Sequence, residues 1–370
     1  MRAIGLVLAG GSSSRLGTLS LKRVAAAMPV GGVYRAVDFS LSSMTNSGIR
    51  KIGVMVQHNS GSLHNHLSSS KWWDLGRKKG GLFMFSPYLT AGHGSGSYRG
   101  TANAMYQNIS FLKRSKEPYV VITSGDAVYK MNFNLLIDHH VEKGHDITVA
   151  YQDMPGLDHT KFGMVEVGPN DEIISFEEKP LESDLTTASI GTYVIGRELL
   201  IQLLEETGKE GRNDFVRDII IRYKKRYKVG AYNFTDYWRI LNSIDTYFQT
   251  NMDFLNAEIR DYFTKKEPFI VTKPKDAPPA KHNSNSSTKG SLIGSGTILS
   301  GHVENSVLFN DVFVDDNTRI KNSLILSKCK IGKNCVIENA ILDKQVEVSD
   351  GTHIIGEGRN LRIIEKGSII

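Results

Sequence analysis

Two cysteines, Cys329 and Cys335, are all that the 370 residues contain, too few for a disulfide framework or a four-ligand zinc site. No apolar run approaches the ~20 residues of a membrane helix, and Met1-Arg2 leads straight into an apolar strand. That leaves no room for a signal peptide and sets the expectation of a cytoplasmic chain with no membrane partner. A dominant block of one charge sign is also missing. The formal charge of +6 suits a small anionic ligand, while Arg222, Lys224, Lys225, Arg226 and Lys228 read as a solvated helix end and not as a nucleic-acid surface. What is present is ordinary for a globular chain: 40% hydrophobic and 23% charged residues, over a length that accommodates two cores.

Two kinds of periodicity divide the chain. As far as about residue 250, short apolar runs ("AIGLVLA", "KIGVMVQ", "YVVITSGD", "DITVAYQ") alternate with helical or loop material. This alternation predicts an α/β layer structure with a mostly parallel sheet. Ligands of such sheets collect at the carboxyl ends of strands, which singles out "AGGSSSR" after the first strand and "SGDAVY" after the strand ending at Thr123.

Beyond Thr272, "KPKDAPPAKHNSNSSTKGS" carries no periodic apolar pattern and reads as a linker over 273–290 between a 1–272 domain and a 291–370 domain. A six-residue beat follows. Leu308, Val314, Ile320 and Leu326 fall six apart, and after a slip of phase through Ile331 the interval returns at Val336, Leu342, Val348 and Ile354. Hexapeptide repeats of this kind build a parallel β-helix. Cys329 and Cys335 then fall on neighbouring faces of one coil, where no bridge is expected. Hexapeptide acyltransferases use a histidine on this scaffold, and His302 or His353 could be nominated. Isolated histidines in a repeat are more often corner residues, and the repeats here serve better as a stacking surface for other subunits.

The dense motifs "LAGGSSSRL" (8–16), "YRAVDFSLSSMTNSGIRKIGV" (34–54), "YRGTANAMYQN" (98–108), "SGDAVYKMNF" (124–133), "FEEKP" (176–180), "SIGTYVI" (189–195) and "YWRILNSIDTYFQTNMD" (237–253) resemble the bacterial ADP-glucose pyrophosphorylase (glucose-1-phosphate adenylyltransferase) family across essentially the whole chain. The resemblance implies a Rossmann-like, GT-A type nucleotidyltransferase domain followed by a left-handed β-helix. It also implies the reaction of glucose 1-phosphate with ATP to give ADP-glucose and pyrophosphate in glycogen synthesis. Such a transfer relies on alignment and charge neutralisation around phosphorus. By the same resemblance Gly10, Gly11, Ser13 and Gly100 would meet the nucleotide and Arg15 the triphosphate. Asp126 would hold Mg2+, Lys179 with Glu178 would hold the sugar phosphate, and Lys22 and Arg23 would contribute to an effector site for a phosphate. The stretch from Gly92 to Gly100 reads as a lid over the nucleotide.

Departures from the family pattern fall on chemistry-bearing positions. Ser13 replaces the glycine that lets a backbone approach phosphate; Ala25 replaces a lysine, Asn103 an acid, Ser97 an aromatic residue, and Ile240 the aspartate that is the second metal ligand. Isoleucine cannot bind Mg2+, which is held by carboxylates and substrate phosphates. These replacements resemble the GlgD-type subunit, a paralogue found beside a catalytic GlgC-type subunit in Gram-positive bacteria. The expectation is a modulating subunit of a heterotetramer, weak or inactive alone, with Mg2+ weakly bound or absent. An active nucleotidyltransferase, and a non-enzymatic sensor of ATP, ADP-glucose or sugar phosphates, remain as alternatives.

Overall fold

The computed structural model describes residues 2–11, 14–76, 80–87, 96–358 and 360–370. Ser13 and residues 92–95 of the expected lid lie outside the described residues. Two compact units divide the chain: the first is Met1–Gly11, Phe39–Ser60 and Leu67–Trp238, the second Ser12–Asp38, Gly61–His66 and Arg239–Ile370.

The first unit is built on nine strands, β1 Ala3–Leu8, β2 Lys51–Met55, β3 Gly81–Phe85, β4 Tyr119–Ser124, β5 Ile147–Asp153, β6 Gly163–Val167, β7 Ile173–Glu178, β8 Thr187–Gly196 and β9 Val229–Asn233. They run in the order β7-β6-β8-β4-β1-β2-β3, with β5 also beside β8 and β9 beside β5. The four apolar runs read from the sequence are β1, β2, β4 and β5. The sheet is mixed, not mostly parallel. β1, β2, β3 and β4 pair in parallel, and β5 with β9 likewise, but β8 is antiparallel to β4, β5 and β6, and β7 to β6. The ten-residue β8 carries a register shift between Ser189 and Thr192, and there its pairing passes from β6 to β4. Helix Arg197–Lys209 places Leu200, Leu203 and Leu204 on the sheet core of Ile4, Leu6, Val120, Ile122 and Val149, the i, i+3, i+4 spacing of a helix with one buried face.

Helix Ala36–Asn46 is unusual for a buried element because Ser40, Ser42 and Ser43 are buried in it beside Val37, Phe39, Leu41 and Met44. Ser40 Oγ donates to the Ser124 carbonyl (2.8 Å), Ser43 Oγ accepts from the Met131 amide (3.1 Å), and Ser47 Oγ, just past the helix, accepts from the Phe133 amide (2.8 Å). Buried hydroxyls are tolerated when each finds a partner. Here they fix the backbone on both sides of Asp126.

The second unit contains the left-handed parallel β-helix, three five-stranded parallel sheets. Its first coil begins at Lys281–His282 and Ser287–Lys289, which pair with Ile298–Leu299 and His302–Glu304, so strands already form inside the segment read as linker. The inward side chains stack as Leu308 on Ile325 on Leu342, Val314 on Ile331 on Val348, and Ile320 on Ile337 on Ile354. Ile325 and Ile337, not Leu326 and Val336, hold the axial positions. The beat is six, six, five, because every third corner is tighter by one residue. Those corners carry Asn305, Asn322 and Asn339 at φ of 44°, 45° and 49°, and Asn305 Nδ2 donates to Asn322 Oδ1 at 2.6 Å. Asparagine tolerates left-handed backbone better than most residues. Cys329 and Cys335 are free and buried, and burial pushes the Cys329 thiol up to about 12.

Candidate functional site

In the first unit, strand register gathers the sequence-selected residues at one edge of the sheet. Leu8 at the end of β1 lies opposite Ser124 at the end of β4, and the Gly125 amide donates to the Leu8 carbonyl at 3.0 Å. Gly10-Gly11 and Asp126 therefore leave the sheet side by side. A Cβ at Gly10 would sit 3.3 Å from Gln57, whereas one at Gly11 would meet nothing within 4 Å: Gly11 presents open backbone. Asp126 accepts a short hydrogen bond from Ser124 Oγ. Burial nonetheless raises its carboxyl pKa, outweighing that bond, so the acid is biased toward its neutral form.

Gly100 has a different setting. Its Cβ would collide with the Asn213 carbonyl at 2.4 Å, and that carbonyl accepts from the Ala102 and Asn103 amides at 2.8 and 3.1 Å. The first turn of helix Thr101–Gln107 is satisfied by protein. Asn103 Oδ1 accepts from the Arg99 amide and from Gln107 Nε2.

The end of β7 comes back to the same edge because β6 starts beside Ala188 of β8, beyond the Thr192–Thr123 pair that closes β4, and Glu178 at the end of β7 lies opposite Gly163 at the start of β6. There Lys179 holds φ at 53°, a left-handed conformation uncommon for lysine, while its amide donates to the Phe162 carbonyl at 2.9 Å. Its ammonium lies 3.3 Å from Glu178 Oε1 and stays 59% exposed, so it remains accessible to a phosphate. Burial raises the Glu178 pKa despite that ion pair, with Asp214 adding to the effect. Gly163 makes room, because a Cβ would meet Glu178 Oε2 at 2.9 Å. Tyr193 is buried nearby and also shifted upward, first by burial and then by Ser189, Glu178 and Asp214 acting in opposing senses.

The second unit carries the remaining candidates. Arg15 and Lys22 are exposed, Ala25 is buried in the short turn Ala25–Ala27, and Ile240 is half-buried at the end of strand Trp238–Ile240. Arg23 does not face solvent. Its Nη2 donates to both Asp343 oxygens at 2.6 Å, and both side chains are nearly fully buried. Nη2 is committed to that carboxylate and Nη1 is buried with no hydrogen-bond partner among the described residues, so Arg23 does not present its guanidinium at the surface to an effector phosphate.

Cations instead collect around a pocket of about 400 Å3 within the second unit, lined by Arg35, Lys273, Lys275, Lys328 and Lys344 together with Tyr34, His66 and Ser327. Arg35 Nη1 donates to the Ser62 carbonyl and hydroxyl at 2.6 and 2.9 Å. Lys275 Nζ donates to Asn310 Oδ1 at 2.8 Å and Ser327 Oγ at 3.3 Å, and His66 Nε2 pairs with Asp38 Oδ1 at 2.6 Å. Burial, then Arg35, Arg23 and Lys275, push the Lys344 amine down to about 7. Burial also lowers Arg35 and Lys275. Like charges held this close are stabilised by an anion among them. Sequence reasoning missed this pocket because its cations are scattered from Arg35 to Lys344; the nearest signal was Arg35, inside the quoted "YRAVDF".

No group of three or more His, Cys, Asp or Glu side chains suited to a metal occurs among the described residues. No helix among them is long and apolar enough to cross a membrane. The "Nucleotidyl transferase" family model matches residues 4–257, and the "GlmU-like, C-terminal hexapeptide" model matches residues 277–361. Proteins named "Glucose-1-phosphate adenylyltransferase" from Bacillus thuringiensis (strain Al Hakam), Bacillus cereus (strain Q1) and Bacillus mycoides (strain KBAB4) are each 34% identical over 356 residues, covering 95% of this chain and 94% of theirs.

Proposed function

Because the chain belongs to the ADP-glucose pyrophosphorylase (glucose-1-phosphate adenylyltransferase) family, we propose that it is a modulating subunit of that enzyme, with weak or no turnover alone. The carrying observation is that Ile240, which by the motif resemblance stands where the family has its second metal carboxylate, is a half-buried hydrocarbon. One further feature supports it: Ala25 leaves the lysine position without a cation. Residues of this composition fit Mg2+ poorly, since the ion prefers one or two ionised carboxylates beside substrate phosphates.

The partner on this reading is a catalytic, GlgC-type subunit in a mixed tetramer, and the cationic pocket is where an anionic effector acts. Co-expression followed by purification on a tag carried by this chain tests the reading. A co-purifying catalytic subunit, whose ADP-glucose synthesis per active site changes when this chain is present, is the expected result. Turnover by this chain alone, with ATP, glucose 1-phosphate and Mg2+, at the rate of a catalytic subunit overturns it. The second reading, an active transferase, is favoured by the retained Asp126, Arg15 and Lys179, and the same assay decides between the two.

A further inference from the structure

At the sheet edge opposite Asp126, where β4 and β9 begin and β8 ends, three histidines meet. We propose that His140 and His145, joined through Thr148 and with His139 packed beside them, form an acid-sensitive latch: neutral, the pair holds helix Phe133–Glu142 and the turn at 143–146 against β5 and β9, and protonated, it releases them.

The helix buries Phe133, Leu136, Ile137 and His140, so an imidazole occupies the fourth place of a stripe that is otherwise apolar. His140 lies edge-on to the Tyr119 ring, 5.4 Å between centroids. His145, 6% exposed, lies across Gly230, where a Cβ would come within 1.9 Å of its ring. His139 donates from Nε2 to the Ala231 carbonyl at 2.9 Å and packs edge-on against His145 and Tyr232.

One hydroxyl links two of the rings. Thr148 Oγ1 is 2.8 Å from His140 Nδ1 and 3.2 Å from His145 Nδ1, and it has a single proton to donate. His145 Nε2 is buried without a hydrogen-bond partner. A bare lone pair there costs less than an orphaned N–H, so His145 carries its proton on Nδ1 and donates to Thr148, which donates to His140 Nδ1. A second proton on either ring breaks this arrangement. On His145 it creates a buried N–H with nothing to accept it; on His140 it turns Thr148 from donor into double acceptor, so the hydroxyl proton loses the Nδ1 lone pair it was donated to.

The surrounding charges do not compensate. Lys143 and Lys228 face the cluster and oppose an imidazolium. Asp171 and Asp146 would favour one, but Asp171 is paired with Lys143 at 2.6 Å and Asp146 accepts from the Lys228 amide at 2.8 Å. Burial is the largest cause, followed for His140 by His145 and for His145 by His139; both imidazoles are held down to about 4 from an ordinary 6.5. Folded pKa values below the unfolded ones mean the opened state takes up protons first. The stabilisation is complete above pH 6.5 and is lost as pH falls toward 4.

Amide hydrogen exchange on the full chain at pH 7 and pH 5, corrected for intrinsic rates, tests the latch. Peptides spanning 133–148 and 229–233 are expected to lose protection by about tenfold or more at pH 5, while peptides of the β-helix do not change. The His140→Asn, His145→Asn double variant keeps a polar atom near each Nδ1 position and is expected to abolish the pH step. Should that variant fail to fold, histidine C2-hydrogen exchange of the unmodified chain reads both imidazoles directly. Titration of both well below pH 6 supports the latch. Titration of both near 6.5, or protection that does not change between pH 7 and 5, overturns it.

Discussion

Arg23 and Asp343 are separated by 320 residues in sequence and meet as a buried pair with two 2.6 Å contacts. Removing one partner of such a pair leaves an unpaired charge in a low-dielectric site and costs about 3–5 kcal/mol. Arg23→Ala is therefore expected to lower urea stability by that amount, and Arg23→Met with Asp343→Leu to recover most of it. Loss of effector response in Arg23→Ala alone would thus report damage to the fold. Lys344 differs, since its amine is held near 7 and an anion in the pocket raises it again. Sulfate, whose charge is constant across this range, should bind about tenfold more tightly at pH 6 than at pH 8 by isothermal titration, and Lys344→Met should remove the difference. On the proposed reading, Ile240 stands where the reaction needs a carboxylate oxygen. Ile240→Asp with Ala25→Lys is expected to raise pyrophosphate release on the order of tenfold or more if the rest of the pocket is competent. No gain at any Mg2+ concentration would place the deficit elsewhere, with Ser13 and Asn103 the next positions to restore. These positions stood out in the sequence because, by the resemblance, each replaces a residue type that the family's chemistry uses. Arg23 was not, because a cation beside a phosphate and a cation beside a buried carboxylate look alike until the distant partner is known.

At the scale of elements, apolar runs identified β1, β2, β4 and β5, whose buried faces are nearly continuous. The β6-β7 hairpin and β8 were hidden, since "GMVEV" and "IISFEE" alternate over a few residues only and β8 is interrupted at Gly191, with φ of 71°. The mixed sheet follows from those three strands. Helix Ala36–Asn46 illustrates the reverse problem, because its serines resemble a surface face and are in fact the buried supports of the Asp126 segment. In the β-helix the repeat was visible while its phase was not, since the one-residue saving comes at corners such as Asn322. Asn322→Ala, which forces alanine into a left-handed conformation and removes the bond from Asn305, should cost about 1–2 kcal/mol, and Asn322→Gly less, by comparison of thermal midpoints.

Among the described residues, two hydrophobic clusters lie in different units of the chain. One comprises Ile4, Leu6, Val120, Ile122 and the helix leucines; the other comprises Val314, Ile320, Ile331, Ile337, Leu342 and their neighbours along the β-helix axis. Cores that share no side chains need not melt together. Calorimetry is expected to resolve two transitions, each answering to its own perturbation. Ile337→Ala removes a fully buried side chain stacked between Ile320 and Ile354, and at about 2–5 kcal/mol it should lower the β-helix transition only. Acidification from pH 7 to pH 5 should lower the other, because the histidines that take up protons on opening, His140 and His145, both belong to the first unit. One cooperative transition that moves as a whole under both perturbations would show that the cores unfold as a single body, and the fate of the histidine cluster would then govern the stability of the β-helix as well.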